Sequence, residues 1–312
     1  MVARPVRLRP VRLTAAVAGV LLACLVGCRP TDDPASPAPA APVPATTAAA
    51  GGAGTGTASA TARPVDTTLD VLITSDDGVG SAGVDALARA VAALADTTVR
   101  VVAPAANQSG TGGQASGGQI THGETTTVGG MRATEVSGFP ADAVTVALDR
   151  LGLRPDLVLA GIHEGQSLGP DLDTSGTIGA ARAAARRGIP ALAASAGLGD
   201  TYDYAPAVAQ VLSWISAHRA ALLATSAAGG TAGTSASGSA ATQTVANLNV
   251  PNCFAGGSVR GLRELASEAS VADPASARTT QACTATTTPG DEVGAFNAGF
   301  ATLTTVPARP SA

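Results

Sequence analysis

The sequence predicts an α/β protein: a parallel sheet covered by helices on both faces, behind a long N-terminal leader. Three observations carry this. From residue 68 onward, short β-branched runs alternate with stretches of helical period. The chain is 45% hydrophobic but only 2% aromatic, so its core must be built from Ala, Val, Leu and Ile. At roughly 100–200 residues per domain, 312 residues allow two domains, or one domain with tails.

The elements follow in order. Leu69–Thr74 reads as a strand, and residues 83–95 as a helix with Val84, Leu87, Ala88, Val91 and Leu94 on one side. Val99–Ala103 is a second strand, stopped by Pro104, and Met131–Val136 a third. Ala143–Leu151 is helical and Leu157–Ala160 extended. Ile178–Arg187 is a helix, Ala191–Ser195 a strand and Ala205–Ala224 a long helix. Val245–Val250 and Phe300–Val306 are late strands. Repeated β-α units imply a parallel sheet, and ligands in such sheets gather beyond the carboxyl ends of the strands.

The leader reads as an address. Residues 2–12 are basic and 13–27 apolar, a run short for a membrane span and typical of a secretory signal. It ends in Leu25-Val26-Gly27-Cys28, which resembles a bacterial lipobox with Cys28 as the lipid-modified residue; a short anchor or a plain signal is the alternative. The expected layout is a signal over 1–27, a Pro/Ala/Gly/Thr-rich tether over 28–67 and a folded domain over 68–308. Residues 226–243 are Ser, Ala, Gly and Thr apart from Gln243, an expected surface insertion. This layout places the domain outside the cytoplasm, tethered to the membrane. There Cys253 and Cys283 are expected to form a disulfide, with two free thiols the alternative.

Composition removes several activities. All 19 basic residues are Arg, so a Walker A loop and Schiff-base chemistry are excluded. One Trp, two Tyr and four Phe leave no stacking platform for single-stranded nucleic acid. Arg4, Arg7, Arg9 and Arg12 precede Cys28 while all 23 acids follow it, so the mature chain is more acidic than the formal −4 and no nucleic-acid partner is expected.

Chemistry is expected at four strand ends. The first strand runs into Ser75-Asp76-Asp77-Gly78. Adjacent carboxylates point apart in a regular strand, but a turn at Gly78 brings them to one side, where a hard divalent cation relieves their repulsion. A helix N-cap is the competing reading. Gly78-Val79-Gly80-Ser81-Ala82-Gly83 also matches a dinucleotide fingerprint, but Asp76 and Asp77 would face the pyrophosphate, and the second strand ends without an acid for a ribose hydroxyl. After that second strand comes a Gly-rich loop, Asn107-Gln108-Ser109-Gly110-Thr111-Gly112-Gly113, read as mobile. His163 follows the strand at 157–160, either as a ligand or as a structural residue; His122, in a Thr-rich loop, and His218 are read as structural. Asp173-Thr174-Ser175-Gly176-Thr177 opens a helix, either as an anion site or as an ordinary cap. Two carboxylates, a hydroxyl, an imidazole and a helix start together suggest metal-dependent phosphoryl chemistry.

The stretch from about 69 to 200 resembles the SurE family of nucleotidases. The resemblance rests on Ser75-Asp76-Asp77-Gly78, Val102-Ala103-Pro104 leading to Ser109-Gly110, Gly138-Phe139-Pro140-Ala141-Asp142, Pro155-Asp156 with Gly161-Ile162, and Ser175-Gly176-Thr177. Weaker echoes continue at Asn247-Leu248-Asn249-Val250-Pro251 and from Asp291 to Thr304. It implies a Rossmann-like fold with a C-terminal extension, a divalent metal (Mg or Mn), homo-oligomers, and a 5'-nucleotidase acting as a phosphoric monoester hydrolase on nucleoside 5'- or 3'-monophosphates. Carried over by position, it implies Asp76, Asp77, Ser109 and His163 as metal ligands, with Asp76 also activating water. Gly78, Asn107, Ser175, Gly176 and Thr177 fall at the phosphate- and substrate-binding positions. His163 stands where the family has Asn, and Ser75 and Ser167 likewise replace Asn; imidazole suits Mn or Zn better than Mg. Two other readings remain: a binding lipoprotein that keeps the fold without the catalysis, and a dinucleotide-dependent oxidoreductase.

Overall fold

The computed structural model describes residues 67–227, 244–268, 270–279 and 281–309. The signal, Cys28, the tether up to residue 66 and residues 228–243 of the low-complexity stretch lie outside these. In chain order the elements are β1 (Leu69–Thr74), α1 (Ala82–Ala92), β2 (Thr97–Pro104), β3 (His122–Thr126), β4 (Arg132–Val136) and α2 (Pro140–Thr145). Then follow β5 (Leu157–Glu164), α3 (Gly176–Ala185), β6 (Ala191–Ala196), α4 (Ala205–Ala227), β7 (Thr244–Val250), β8 (Leu262–Glu264), α5 (Glu292–Asn297) and β9 (Ala301–Pro307).

The strands form one sheet in the order β3-β4-β2-β1-β5-β6-β7-β9-β8. Its centre, from β4 through β7, is parallel. The rims depart from the all-parallel expectation, since β3 is antiparallel to β4 and β9 to β7. At the first rim the cause is local. The turn between β3 and β4 is closed by bonds from Thr127 N–H to the Met131 carbonyl (2.9 Å) and Gly130 N–H to the Thr127 carbonyl (2.9 Å), far too short for a crossover. From β1 the chain goes to β2 on one side and later returns to β5 on the other. The sheet therefore reverses its order at β1/β5, where α/β sheets open a crevice.

Alternate strand residues feed two aliphatic cores, one per face. Leu72, Val102, Val158 and Ala193 pack with Val144 and Ala147 from the α2 region and with Ile178 and Ala181 of α3. Val71, Ile73, Val101, Leu159 and Leu192 pack with Val84, Leu87 and Val91 of α1 and with Val211 and Ile215 of α4. No helix among the described residues is long and apolar enough to cross a membrane.

Several boundaries differ from the sequence reading. The α2 helix starts at Pro140, because Pro fits the first helical turn and Asp142 accepts the Phe139 N–H (2.9 Å). It continues as a π-helical turn, Val146–Arg150. The α4 helix reaches Ala227, two residues into the expected insertion. His122 lies in β3 rather than in a loop; its pattern, His-Gly-Glu-Thr-Thr, is too polar to announce an edge strand. The 105–121 loop is docked rather than free: Gly112 N–H bonds the Thr174 carbonyl (2.8 Å), and Asp142 accepts Ser116 Oγ (2.7 Å). Beyond β7, Cys253 and Cys283 are joined in a disulfide.

Candidate active site

The site begins where β1 ends. Asp76 and Asp77 sit in the turn just after the strand, and Gly78 (φ +91°) completes it. A side chain at Gly78 would also bring its Cβ to 3.0 Å from the Ala106 backbone, so glycine is required twice over. Ser75, buried beneath the turn, accepts the Asp77 N–H at 3.2 Å, which orients the second carboxylate.

Asp76 is driven into the start of α3. Thr177 donates its hydroxyl to Asp76 Oδ1 at 2.5 Å. Gly176 makes this approach possible, since a Cβ there would lie 2.7 Å from that of Asp76. The positive end of the helix dipole thus faces a carboxylate belonging to the chain itself. Gly176 and Thr177, expected at a phosphate, hold Asp76 instead and do not line the cleft, and neither does Gly78. Ser175 caps α3 by accepting the Ile178 N–H (3.2 Å) and does line the cleft.

The β5 strand carries His163. Its register against β6 shifts between Ala160 and His163, so the strand resumes beyond Gly161 and delivers the imidazole at its carboxyl end. Nδ1 of His163 lies 3.0 Å from Asp76 Oδ1 and 3.1 Å from Asp77 Oδ1. The next residue, Glu164, donates its N–H to Asp77 Oδ2 at 3.0 Å. Burial by itself would push the His163 pKa down, but the bonds and charges of the two aspartates prevail and raise it to about 10. Burial by itself would raise Asp76, but the bond and charge of His163 and the bond of Thr177 hold it below its ordinary value. In the metal-free chain the site is therefore two carboxylates around one imidazolium.

These groups open into a cleft of about 410 Å³ at the β1/β5 reversal. Asn107 and Ser109 line it from the loop after β2; each side chain donates weakly to Asp77 Oδ1 at 3.4 Å, and Asn107 Oδ1 accepts the Ser109 N–H at 2.8 Å. A larger cleft of about 570 Å³ at Tyr202 and Phe254 contains none of the expected metal- or phosphate-binding residues. The cleft floor includes a network whose members the sequence marked only separately. Ser167 Oγ meets Ser175 Oγ (2.9 Å) and Ser195 Oγ (3.2 Å), while its carbonyl accepts Asn247 Nδ2 (3.0 Å) and Asn249 Nδ2 (3.2 Å). Asn247 and Asn249 were visible in the sequence as an echo of the family, but their task is to anchor the loop after His163. Gln166, Asp171 and Arg278 also line the cleft, and nothing in the sequence marked them.

The residues present fit a divalent cation. Asp76, Asp77 and His163 each offer a ligand atom, all within 4.8 Å of one another. Asp76 Oδ2 is buried and accepts no hydrogen bond. An ionised oxygen buried without a donor is costly, and a cation is the partner that would satisfy it. Oxygen ligands with one nitrogen suit Mn or Zn as well as Mg.

The family described as Survival protein SurE matches residues 71–273. The 5'-nucleotidase SurE of Methanoculleus marisnigri is 42% identical over 134 residues, covering 43% of this chain and 50% of that protein. The 5'-nucleotidase SurE of Methanopyrus kandleri is 44% identical over 126 residues, covering 40% and 48%. The chain thus spans about half the length of the curated relatives it matches. The crystal structure of the Sure protein from Aquifex aeolicus superposes with a TM-score of 0.58 at 22% identity, covering 78% of this chain and 94% of that one, a likeness of fold.

Proposed function

This chain belongs to the SurE family, and on that premise we propose that it is a metal-dependent phosphomonoesterase. Its reaction is hydrolysis of nucleoside 5'- or 3'-monophosphates to nucleoside and phosphate. The observation that carries this reading is the buried, unpartnered Asp76 Oδ2 beside Asp77 and His163 at the sheet's reversal point. Relatives named 5'-nucleotidase support the substrate class.

Asp76, Asp77 and His163 would hold the metal, with Ser109 completing the set. When bound, a divalent cation supplies charge to the phosphate oxygens and acidifies a nearby water. The chain's own residues do the rest. Asp76, oriented by the Thr177 hydroxyl on its Oδ1, would accept the proton of the attacking water as the water oxygen bonds to phosphorus. Asn107 Nδ2 and the hydroxyls of Ser109 and Ser175 line the same cleft and would donate to the phosphate oxygens as the ester P–O bond breaks, the departing nucleoside oxygen taking up the proton that Asp76 accepted. The docked 105–121 loop would keep those donors in place before substrate arrives.

We also infer the wider setting. Cys28 carries lipid, residues 28–67 form the tether, and the domain works outside the cytoplasm; the Cys253–Cys283 disulfide suits an oxidising compartment. Self-association through the C-terminal region is part of the same proposal.

The test is phosphate release from nucleoside monophosphates by the purified, metal-stripped chain given Mg, Mn or Zn. Activity with Mn or Zn above that with Mg is expected, with His163→Asn moving the preference toward Mg. Absence of release with every metal would remove the enzyme reading and leave a binding protein.

A further inference from the structure

We propose that Arg278 is the residue that captures the substrate's phosphate: a guanidinium parked on Asp171 at the cleft rim, which transfers to a phosphate dianion when one enters. This rests on the hydrolase reading above and adds to it a recognition residue beyond the stretch matched by the family, residues 71–273.

The cleft's charges favour such a residue. Its ionisable lining is Asp76, Asp77, Glu164 and Asp171 against His163 and Arg278. His163 is already taken by Asp76 and Asp77. Besides any metal held by Asp76, Asp77 and His163, a phosphate dianion approaching this acidic lining would be drawn by a further cation, and Arg278 supplies the one guanidinium among the described lining residues.

Its geometry suits transfer. Nε of Arg278 donates to Asp171 Oδ2 at 2.8 Å, and Nη2 bonds Asp171 Oδ1. The arginine side chain is 66% exposed while Asp171 is only 18% exposed, so water and an entering anion can reach the guanidinium from the cleft side of the pair. The backbone beneath is the opposite. Gln166 Nε2 bonds the carbonyls on both sides of Arg278, at Ala277 (2.9 Å) and Thr279 (3.1 Å), while its Oε1 accepts the Leu198 N–H (2.8 Å). Ala277 is buried against Leu168 and Phe296, and Asn297 Nδ2 holds the Ser276 carbonyl at 2.8 Å. A free side chain on a fixed base can swing between two partners without moving the fold. Its planar fork matches two phosphate oxygens at once, which a lysine cannot do.

The experiment uses the full chain with Mn. Binding of inorganic phosphate is measured by calorimetry, and nucleoside monophosphate hydrolysis is followed against substrate concentration. Arg278→Ala is expected to weaken phosphate binding and raise KM by about tenfold or more, with a smaller change in kcat, and Arg278→Lys to recover only part of this. Asp171→Asn is expected to tighten phosphate binding, and that gain should shrink in the Arg278→Ala background, since the two residues act through each other. A purely structural ion pair predicts otherwise: both single variants lower the melting temperature and neither changes phosphate affinity. The proposal is overturned if wild type binds no inorganic phosphate, or if Arg278→Ala and Arg278→Lys bind it as wild type does. Phosphate capture that depends on Arg278 without nucleotide hydrolysis refutes the hydrolase reading and spares this one. Normal hydrolysis with an unchanged KM in Arg278→Ala does the reverse.

Discussion

Among the described residues two carboxylate pairs each have a buried member, and they resolve that burial in opposite ways. At the cleft, Asp76 and Asp77 share His163 and Asp76 is held below its ordinary pKa. Near the C-terminus, Glu292 lies fully buried beside Glu268. There Glu292 accepts the Glu268 N–H (3.0 Å) and the Thr304 hydroxyl (3.1 Å), while Glu268 accepts the Val293 N–H (3.2 Å). No cation bonds this pair among the described residues. Burial pushes Glu292 up to about 7, and the charge of Glu268 adds to the rise despite the donors. Two nearby acids therefore do not by themselves make a site. With an imidazole against it the buried Asp76 is held below its ordinary pKa; with only another acid and neutral donors beside it, the buried Glu292 is raised to about 7.

The largest effect should come from removing the charge the cleft protects. Asp76→Asn is expected to lower phosphate release by roughly two to four orders of magnitude while far-ultraviolet circular dichroism stays unchanged. Near-wild-type turnover would mean the cleft pair is as inert as the C-terminal one.

Removing the cation instead should turn the first pair into a worse version of the second. In metal-free protein, His163→Ala leaves both aspartates buried without a positive partner, a loss of about 3–5 kcal/mol in chemical denaturation. Added Mn should restore most of it, since a ligand that binds the native state stabilises it. No response to Mn would break the comparison.

Reducing the disulfide probes whether the two regions are coupled. With a sequence separation of 30 between Cys253 and Cys283, reduction should cost about 3–4 kcal/mol on the chain-entropy account. Hydrogen exchange should rise first between 253 and 297 and leave the β1 and β5 amides protected. Simultaneous loosening at β1 would show that the cleft depends on the C-terminal region.

The smallest effect separates the pairs by pH. Both His163 and Glu292 have folded pKa values above their unfolded ones, so each contributes stability that is lost as pH rises. For Glu292 the contribution is complete below 4.5 and fades as pH climbs through about 7. For His163 it is complete below 6.5 and fades through about 10. Glu292→Gln should flatten the lower window and add about 1–3 kcal/mol at pH 8, while His163→Ala should flatten only the upper one in metal-free protein. Denaturation midpoints across pH 4–10 would show whether the windows separate.

Much of this was legible along the chain because it depends on near neighbours. Strand and helix alternation follows from local apolar period, so the five strands and three of the four helices expected between residues 69 and 224 fall within a few residues of where the sequence puts them. Asp76-Asp77-Gly78 is a local signal too: a strand end, two acids and a residue able to take a positive φ. His163 stood out by its position after a strand. What tertiary structure alone decided depends on partners far apart in sequence. Thr177 binds Asp76 across 101 residues, Gln166 holds Ala277 across 111, and Asp171 meets Arg278 across 107. The polar edge strand β3 and the short β8 and α5 likewise exist because neighbours complete them, not because their own pattern demands it. Periodicity reports which face of an element is apolar; it carries no record of which distant element will cover that face, or of which carboxylate will meet a cation there.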